Sequence, residues 1–327
     1  MRFLVLGGTA WLGRTIAAAA VARGHQVVCL ARGSSGGIAD GALLVRADRD
    51  RPGAYEAIAE ERWDVVVDVA RDPGQVRSAI GALAIDRYVL VSTGNVYADP
   101  GTPHQDESAA LLDPDALPAD PGEAYGMGKV ACEQAVLEAF GDRALIARAG
   151  LIGGPGDTSG RSGYWPWRFA NPAGEAVLVP DAADRPTEVI DVRDLAAWLV
   201  RAPEEGIGGV FDAVGPEVPL GAHLATAREV ARFAGELAAA PESWLLDQGI
   251  AEWAGPQSLP LWLADPGWQG FAARDGSRAR AAGLAHRPLE ATLRDVLAWE
   301  KAQPVHPHGA GLTDAEQRDL LRLLAAA

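Results

Sequence analysis

The chain has 327 residues, a formal net charge of −15 and only two cysteines, Cys29 and Cys132. The acidic balance disfavours nucleic acid and anionic membranes as partners, since both are bound by basic surfaces. The distant cysteines indicate neither a disulfide framework nor a metal site, and we expect both to be small buried residues. No apolar run is long enough to cross a membrane, and no signal peptide fits before the first strand, so we expect a cytoplasmic location.

The first half of the chain alternates short apolar runs with helical segments. This alternation predicts an α/β fold, with a parallel sheet that carries helices on both faces. The predicted strands cover residues 2–7, 26–32, 43–48, 63–70, 86–93 and 144–150. The predicted helices cover residues 14–23, 55–61, 76–83 and 124–140, with an acidic, proline-containing loop over 98–122.

The periodicity weakens after Gly153. Residues 153–169 resemble an aromatic loop, and the segment beyond Pro219 is expected to be mostly helical. Shorter periodic segments predict strands within 175–180 and 208–216, a helix over 191–202 and a terminal amphipathic helix over 313–326.

A glycine-rich turn, LVLGGTAWLGR, lies between the first predicted strand and the first predicted helix. Gly7 permits a tight turn, position 10 must be small for backbone to approach a pyrophosphate, and Gly13 allows close helix packing. The helix N-terminus then offers N–H groups to the phosphates of a dinucleotide. Ala10 departs from glycine, and we expect its methyl to be tolerated only at negative φ. A purely structural βα turn is the alternative interpretation.

Trp11 and the residues around the end of the second strand also bear on how a dinucleotide is bound. Trp11 either lines the cofactor cleft or packs under the first helix. The second strand ends at Arg32, with Ser34 and Ser35 behind it and Arg14 in the glycine turn. A cation suits the 2′-phosphate of NADP, whereas an acidic residue would suit NAD, so we predict NADP with NAD as the alternative.

Asp48, at the end of the third predicted strand, is a candidate acceptor for the adenine amino group. Its carboxylate is equally suited to capping the segment that follows.

A tyrosine and a lysine four residues apart open the long predicted helix, in the segment Tyr125-Gly-Met-Gly-Lys129. This spacing places both side chains on one helical face. A nearby ammonium group stabilises phenolate, so the tyrosine could exchange a proton with an alcohol while hydride moves at a nicotinamide. Thr93 ends the fifth predicted strand, where a hydroxyl faces the crevice and could donate to a substrate carbonyl.

Together, the segments GGTAWLG, STGNVY, YGMGK and RAGLIGGPGD resemble the extended short-chain dehydrogenase/reductase family, which contains NAD(P)-dependent epimerases, dehydratases and reductases. The resemblance implies a Rossmann-like doubly wound parallel sheet with a smaller C-terminal substrate-binding domain. We accordingly predict a first domain over residues 1–153, to which 177–202 return, and a mainly substrate-binding domain over 154–327. The family also implies a homodimer paired through a four-helix bundle.

The resemblance also implies roles for individual residues. Tyr125 would be the acid/base, Lys129 would lower its pKa and bind the nicotinamide ribose, and Thr93 would be the catalytic hydroxyl. Ala70, in the loop 69–71, would pass under the cofactor, and Leu151, in 149–151, would touch the nicotinamide. The cofactor contacts expected in the glycine turn are Gly7, Thr9, Ala10, Trp11, Leu12 and Gly13.

The chain departs from the family pattern at Gly94, Asn95 and Thr187. Gly94 and Asn95 replace the Asp-Glu pair of dehydratases, which argues against sugar dehydration. Thr187 occupies the position of an arginine that holds the diphosphate of nucleotide sugars, and Arg185 is out of step with it. The candidate substrate contacts are Asn95 and an aromatic wall formed by Tyr164, Trp165 and Trp167, which core packing would explain equally well.

These observations leave three functions open. The first is an NADP-dependent reductase or dehydrogenase that acts on a carbonyl/alcohol centre of a small metabolite. The second is an epimerase that retains its NAD and inverts a carbinol. The third is a non-catalytic binding protein on the same fold, against which the Tyr-Lys pair and the acidic surface both count.

Overall fold

The computed structural model of the chain describes residues 1–303 and 309–326. Its strands are β1 Arg2–Leu6, β2 Gln26–Ala31, β3 Leu43–Arg46, β4 Arg62–Asp68, β5 Ala84–Thr93, β6 Ala144–Ala149, β7 Leu151–Gly153, β8 Ala176–Pro180, β9 Pro186–Asp191, β10 Gly209–Ala213, β11 Glu217–Pro219, β12 Glu236–Ala240, β13 Ala251–Trp253 and β14 Ser258–Pro260. Its α-helices are α1 Trp11–Ala22, α2 Pro73–Ala82, α3 Pro121–Phe140, α4 Tyr164–Ala170, α5 Val192–Glu204, α6 Leu220–Ala231, α7 Glu242–Asp247, α8 Ser277–Ala281, α9 Leu289–Lys301 and α10 Asp314–Ala325.

The centre of the molecule is a seven-stranded sheet in the order β10-β6-β5-β4-β1-β2-β3. Every neighbouring pair in it is parallel. Its central strands are nearly continuous apolar runs because both faces are covered by helices. This arrangement confirms the predicted Rossmann-like fold. The strand order reverses direction between β1 and β4, which opens a crevice at the carboxyl ends of the strands.

Two apolar layers cover the sheet. One packs Val5 and Val67 of the sheet against Ile16 of α1 and Leu199 of α5. The other packs β-strand residues such as Leu90 against α2 and α3. α5 lies directly against α1, so part of the predicted returning segment covers the sheet, whereas β8 pairs with β12 outside it. The predicted domain boundary at residue 153 stays a prediction.

A second core lies in the C-terminal half, around Trp165, Phe169, Trp262 and Leu293. It joins α4, α6 and α9, which pack on one another. Short strands accompany it: β11, β9 and β7 form one small sheet, β12 pairs with β8, and β13 pairs with β14. The segment beyond Pro219 is therefore less purely helical than the sequence predicted.

Two local predictions were wrong. The segment predicted as a helix over 55–61 forms only a 3₁₀ turn, Glu56–Ile58, directly after Gly53 with its positive φ of 78°. The aromatic loop over 153–169 contains helix α4. Pro166 lies in the first turn of α4, where a missing N–H costs nothing, and the helix forms because its aromatic residues bury themselves in the second core.

Candidate active site

A cleft of about 910 Å³ opens at the carboxyl ends of the sheet strands, where the chain order reverses. It is lined by every residue predicted to contact the cofactor and by each predicted catalytic residue. These are Gly7, Thr9, Ala10, Trp11, Leu12, Gly13, Arg32, Asp48, Ala70, Thr93, Tyr125, Lys129 and Leu151. The fold therefore brings together groups that lie as much as 144 positions apart in the chain, since the same cleft holds Gly7 and Leu151.

The glycine turn has the backbone that a phosphate cradle needs. Gly7 has φ of 96°, and its N–H donates to the Leu30 carbonyl oxygen at 2.9 Å. A Cβ at position 13 would lie 2.3 Å from the Gly7 carbonyl oxygen, so only glycine allows α1 to start this close to the turn. Ala10 has φ of −80°, as its methyl requires, and it supplies no side-chain cap to α1. The first N–H groups of α1 are thus available to an anion, and this cradle fits a dinucleotide pyrophosphate.

Trp11 connects the glycine turn to the loop that follows β7. Its indole N–H donates to the Pro155 carbonyl oxygen at 2.8 Å. Gly156, with φ of 95°, lies so close to the indole that a Cβ there would approach Trp11 to 2.6 Å. Trp11 lines the cleft, in agreement with the first of its two interpretations. It also holds the loop after β7 against the glycine turn.

The end of β2 presents exposed cations. Arg32, Ser34 and Ser35 line the cleft, whereas Arg14 is exposed outside its lining. Arg46, at the end of β3, packs its guanidinium against the backbone of Gly33, where an added Cβ would lie 2.3 Å from Arg46 Nη1. Within residues 1–303 and 309–326, neither Arg32 nor Arg46 forms an ion pair. Sequence reasoning missed Arg46 because its contact with Gly33 depends on the pairing of β2 with β3.

Asp48 lies on the cleft wall and also accepts the Asp50 N–H at 3.2 Å, so both of its predicted roles are compatible with its position. Its neighbour Arg49 also lines the cleft, but the Arg49 charge is taken by a bidentate pair with buried Asp68, at 2.7 and 2.8 Å. Arg49 therefore ties the loop after β3 to the end of β4 rather than offering a free cation.

The residues around Tyr125 are held by close packing of α3 on the end of β5. A Cβ at Gly126 would lie 2.2 Å from the Asn95 carbonyl oxygen, so glycine allows the helix to approach the strand end. Thr93 donates from Oγ1 to Asn95 Oδ1 at 3.0 Å and accepts the Asn95 N–H at 3.3 Å. Asn95, one of the candidate substrate contacts, lines the cleft beside Thr93 and fixes the orientation of its hydroxyl.

Lys129 is only 1% exposed, and its ammonium group reaches the cleft wall from below. Its Nζ donates to the Ala70 carbonyl oxygen at 2.8 Å and to the Val91 carbonyl oxygen at 2.5 Å. Burial lowers the pKa of Lys129. The ammonium group thus joins the loop after β4 to the end of β5, on either side of the cleft floor.

Tyr125 lies under a second cation. The Arg71 guanidinium carbon is 5.7 Å from the centre of the Tyr125 ring. Burial raises the pKa of the Tyr125 phenol, while Arg71 and the Thr93 hydroxyl oppose that rise. The sequence assigned the lowering of this pKa to Lys129, and that role stays a prediction. Arg71 belongs to the predicted loop 69–71, but the sequence alone gave no reason to assign its charge a role at Tyr125.

The aromatic wall predicted from Tyr164, Trp165 and Trp167 is not in the cleft. Tyr164 and Trp165 are buried in the second core, and none of the three lines the cleft. Trp165 donates from Nε1 to the Pro260 carbonyl oxygen at 2.8 Å, which satisfies its polar atom there. Core packing, the alternative interpretation, accounts for Tyr164 and Trp165, whereas Trp167 is half-buried outside the cleft lining.

Three other residues line the cleft away from the glycine turn. Trp253 ends β13, Phe271 lies in the 3₁₀ segment Pro266–Ala272, and Arg161 lies in the loop after β7. Their positions in sequence carry no periodic or motif signal, since each side chain reaches the cleft only through folding of the C-terminal half. The one local signal is the Gly-Pro pair of AEWAGP, which predicts a turn directly after Trp253.

Within the described ranges, no three or more His, Cys, Asp or Glu side chains cluster in a way that would hold a metal ion. In the same part of the chain, no helix combines the length and the apolar character needed to cross a bilayer.

Comparison with known proteins places this site in a family. The sequence profile of the NAD-dependent epimerase/dehydratase family matches residues 3–212. The chain belongs to this family. Members of the NAD-dependent epimerase/dehydratase family are NAD(P)-dependent enzymes that act on small molecules, which agrees with the resemblance drawn from the glycine turn and the Tyr125 segment.

Two curated relatives are reductases. The chain is 32% identical over 196 residues to 2′-dehydrokanamycin reductase of Streptomyces kanamyceticus, a match covering 57% of this chain and 53% of that protein. The chain thus spans about half the length of that relative. It is 27% identical over 335 aligned positions to 3-diazoavenalumate denitrifying reductase of a Streptomyces species, covering 95% of this chain and 99% of the relative.

Solved structures share the fold. An epimerase-like protein of Burkholderia cenocepacia is 23% identical with a TM-score of 0.67, covering 92% of this chain and 98% of the other. UDP-glucose 4-epimerase of Thermotoga maritima is 17% identical with a TM-score of 0.66, covering 92% and 99%. At these identities the likeness establishes the architecture of the epimerase/dehydratase family.

Proposed function

We propose that this protein is an NADP-dependent reductase or dehydrogenase that works at a carbonyl/alcohol centre of a small metabolite. One observation carries the proposal: Thr93, Tyr125 and Lys129 line the same cleft as the glycine turn and the exposed arginine that ends β2. The two reductase relatives support the same direction of chemistry.

NADPH, when bound, supplies hydride to the substrate carbonyl. In this proposal the N-terminus of α1 binds the cofactor phosphates. Tyr125 is the residue that donates the proton. The Thr93 hydroxyl, which donates to Asn95 Oδ1, would turn its single proton to the substrate oxygen. Tyr125 would give that oxygen its proton as the carbonyl is reduced, and Lys129 would bind the nicotinamide ribose.

NADP is favoured over NAD by the cations beside β2. Arg32 and Arg46 are exposed and form no ion pair with any residue in 1–303 or 309–326. Two unpaired guanidinium groups at the strand end suit the 2′-phosphate of NADP, because arginine binds phosphate in a bidentate manner.

An NAD-dependent epimerase is the second candidate, favoured by the epimerase family profile. The fluorescence of dinucleotide that remains bound to the purified protein separates the two. A tightly held, copurifying cofactor supports the epimerase, whereas freely exchanging NADPH supports the reductase. Titration calorimetry of the purified chain with NADPH and NADH tests both candidate functions. If neither nucleotide binds, both candidates are wrong.

A homodimer paired through a four-helix bundle that includes α3, and a cytoplasmic location, stay predictions. α2 and α3 pack against each other on one face of the sheet. Size-exclusion chromatography with light scattering measures the oligomeric state directly.

A further inference from the structure

The end of the cleft next to Thr93 has a flat aromatic surface. A Cβ at Gly94 would lie 3.6 Å from Cε2 of Phe271, so this ring rests on the residue that follows Thr93. Trp253 meets Phe271 edge to face, with ring centres 5.4 Å apart. Both rings are partly exposed and both line the cleft. A planar apolar group would therefore lie against these rings while its reactive carbon faces Thr93 and Tyr125.

The backbone holds Trp253 in a conformation that large side chains rarely adopt. Its φ is 66°, in the left-handed region. Its N–H donates to the Trp262 carbonyl oxygen at 3.0 Å, and β13 is paired with β14. Strain of this kind persists where surrounding contacts fix it, and it is concentrated at ligand-binding sites.

The Arg161 guanidinium, which forms no ion pair with any residue in 1–303 or 309–326, faces this surface. The Arg161 guanidinium carbon is 5.7 Å from the centre of the Trp253 ring. Its Nε donates to Ser159 Oγ at 3.2 Å, and it forms no ion pair within the described part of the chain. Burial lowers the pKa of Arg161, although nearby Asp157 opposes this. A partly desolvated, unpaired cation is costly, and an incoming anion would relieve that cost.

The loop that carries Arg161 is organised mainly by the Asp157 carboxylate. The Asp157 carboxylate accepts the N–H and hydroxyl of Ser159, at 2.9 and 2.6 Å. It also accepts the N–H and hydroxyl of Ser162, at 3.2 and 2.8 Å. Four donors thus satisfy Asp157, and Arg161 keeps its guanidinium for a group in the cleft.

The positions that would favour a nucleotide diphosphate are occupied differently. Thr187 is buried, and its hydroxyl donates to the Val218 carbonyl oxygen at 2.7 Å. Arg185 donates twice to the Glu242 carboxylate, at 3.0 and 2.8 Å. Within residues 1–303 and 309–326, Arg161 and exposed Arg71 line the cleft and form no ion pair.

We propose that the substrate is a small carboxylic acid with a flat apolar body, which packs on Trp253 and Phe271 and pairs its carboxylate with Arg161. This inference rests on the proposed function, since it names the substrate class of the same cleft. It makes Arg161 the residue that selects an acid over a neutral molecule of the same shape, and the aromatic pair the surface that selects a planar body.

Two probes of equal shape test the proposal, cinnamate and its neutral amide, cinnamamide. Their dissociation constants are measured by ligand-observed NMR on the full chain, with and without NADPH. We expect cinnamate to bind about 10- to 100-fold more tightly than cinnamamide, the range of a charge-assisted hydrogen-bonded contact. Arg161→Gln should abolish this preference, Arg161→Lys should keep part of it, and Arg294→Gln on the exposed face of α9 should change nothing. Trp253→Leu should weaken both probes equally.

The outcomes separate this inference from the proposed function. If NADPH binds normally but cinnamate and cinnamamide bind equally, or neither binds, the acid specificity is wrong and the reductase stands. If UDP-glucose displaces cinnamate and binds with a lower dissociation constant than cinnamate, the cleft selects a nucleotide sugar and the inference also fails. If no nicotinamide nucleotide binds, the proposed function fails, while an acid preference that depends on Arg161 would still establish the carboxylate site.

Discussion

The Arg71 guanidinium lies over the Tyr125 ring, 5.7 Å from its centre, at the mouth of the cleft. A cation over a phenol favours phenolate, and Arg71 is the first group that opposes the rise in the Tyr125 pKa caused by burial. The loop after β4 therefore acts electrostatically on Tyr125, the proposed acid/base.

Replacing Arg71 should change the pH dependence of the reaction. In Arg71→Gln, we expect the Tyr125 pKa to rise, since the opposing cation is gone. Reduction needs the protonated phenol, so its alkaline limb should move to higher pH; oxidation needs phenolate, so its acidic limb should move to higher pH. The measurement is kcat against pH in both directions. Arg77→Gln, on the exposed side of α2, is the matched control, and unshifted limbs would exclude this role for Arg71.

Removal of the phenol oxygen should separate chemistry from binding. We expect Tyr125→Phe to lower kcat by about 10²- to 10⁴-fold, because the variant lacks the proton donor. The NADPH dissociation constant should change by less than about twofold, since one phenol contact adds little to a cradle of backbone amides. Tyr164→Phe removes the same atom from the second core and should leave kcat unchanged. Full activity in Tyr125→Phe against a verified substrate would assign the acid/base elsewhere.

The cations beside β2 should select the coenzyme. Arg32→Ala and Arg46→Ala should each weaken NADPH by about 10-fold or more while NADH changes by less than about threefold, because only NADPH carries the 2′-phosphate. Calorimetric titration of both nucleotides into each variant measures this. Arg318→Ala, on the exposed surface of α10, controls for the loss of one charge. Equal losses for the two nucleotides would remove the argument for NADP.

A buried carboxyl should make stability depend on pH. Glu188 is 4% exposed, and burial raises its pKa to about 8, helped by Glu217 and Asp212 and opposed by Arg274. Because its folded-state pKa lies above the ordinary 4.5, ionisation of Glu188 opposes folding increasingly as pH rises from 4.5 through 8. Glu188→Gln keeps an acceptor for the Arg274 N–H at 3.1 Å.

Its melting temperature should therefore exceed that of the wild type by several degrees at pH 8, and the difference should shrink towards pH 4.5. Calorimetric scans at a series of pH values measure it, with Glu290→Gln on exposed α9 as the control. A difference that stays constant from pH 4.5 to 8 would mean that Glu188 does not titrate as described.

The cofactor side of the cleft could be predicted because its determinants are local. The glycine turn is one strand-turn-helix unit, and the requirement for negative φ at Ala10 follows from its methyl group alone. Tyr125 and Lys129 share one helix, so their spacing already fixes a common face. Motif reasoning therefore named residues that the structure brings together along this side of the cleft, and their roles stay predictions.

The substrate side could not be predicted because its determinants are distant. Trp253 and Phe271 reach Gly94 only after the C-terminal half has packed its own core, and nothing in their spacing reports that contact. Tyr164 and Trp165 show the converse error, since an aromatic run in a glycine-rich loop has the same composition whether it lines a pocket or fills a core.

The hydrogen bond from Trp11 to the Pro155 carbonyl oxygen joins the pyrophosphate turn to the loop that presents Arg161. Coupling between two binding sites is reciprocal. If a nucleotide orders the turn, it lowers the cost of ordering the Arg161 loop, and a bound acid returns the same free energy to the nucleotide. One indole would thus make the two ligands heterotropic partners, each raising the affinity of the chain for the other.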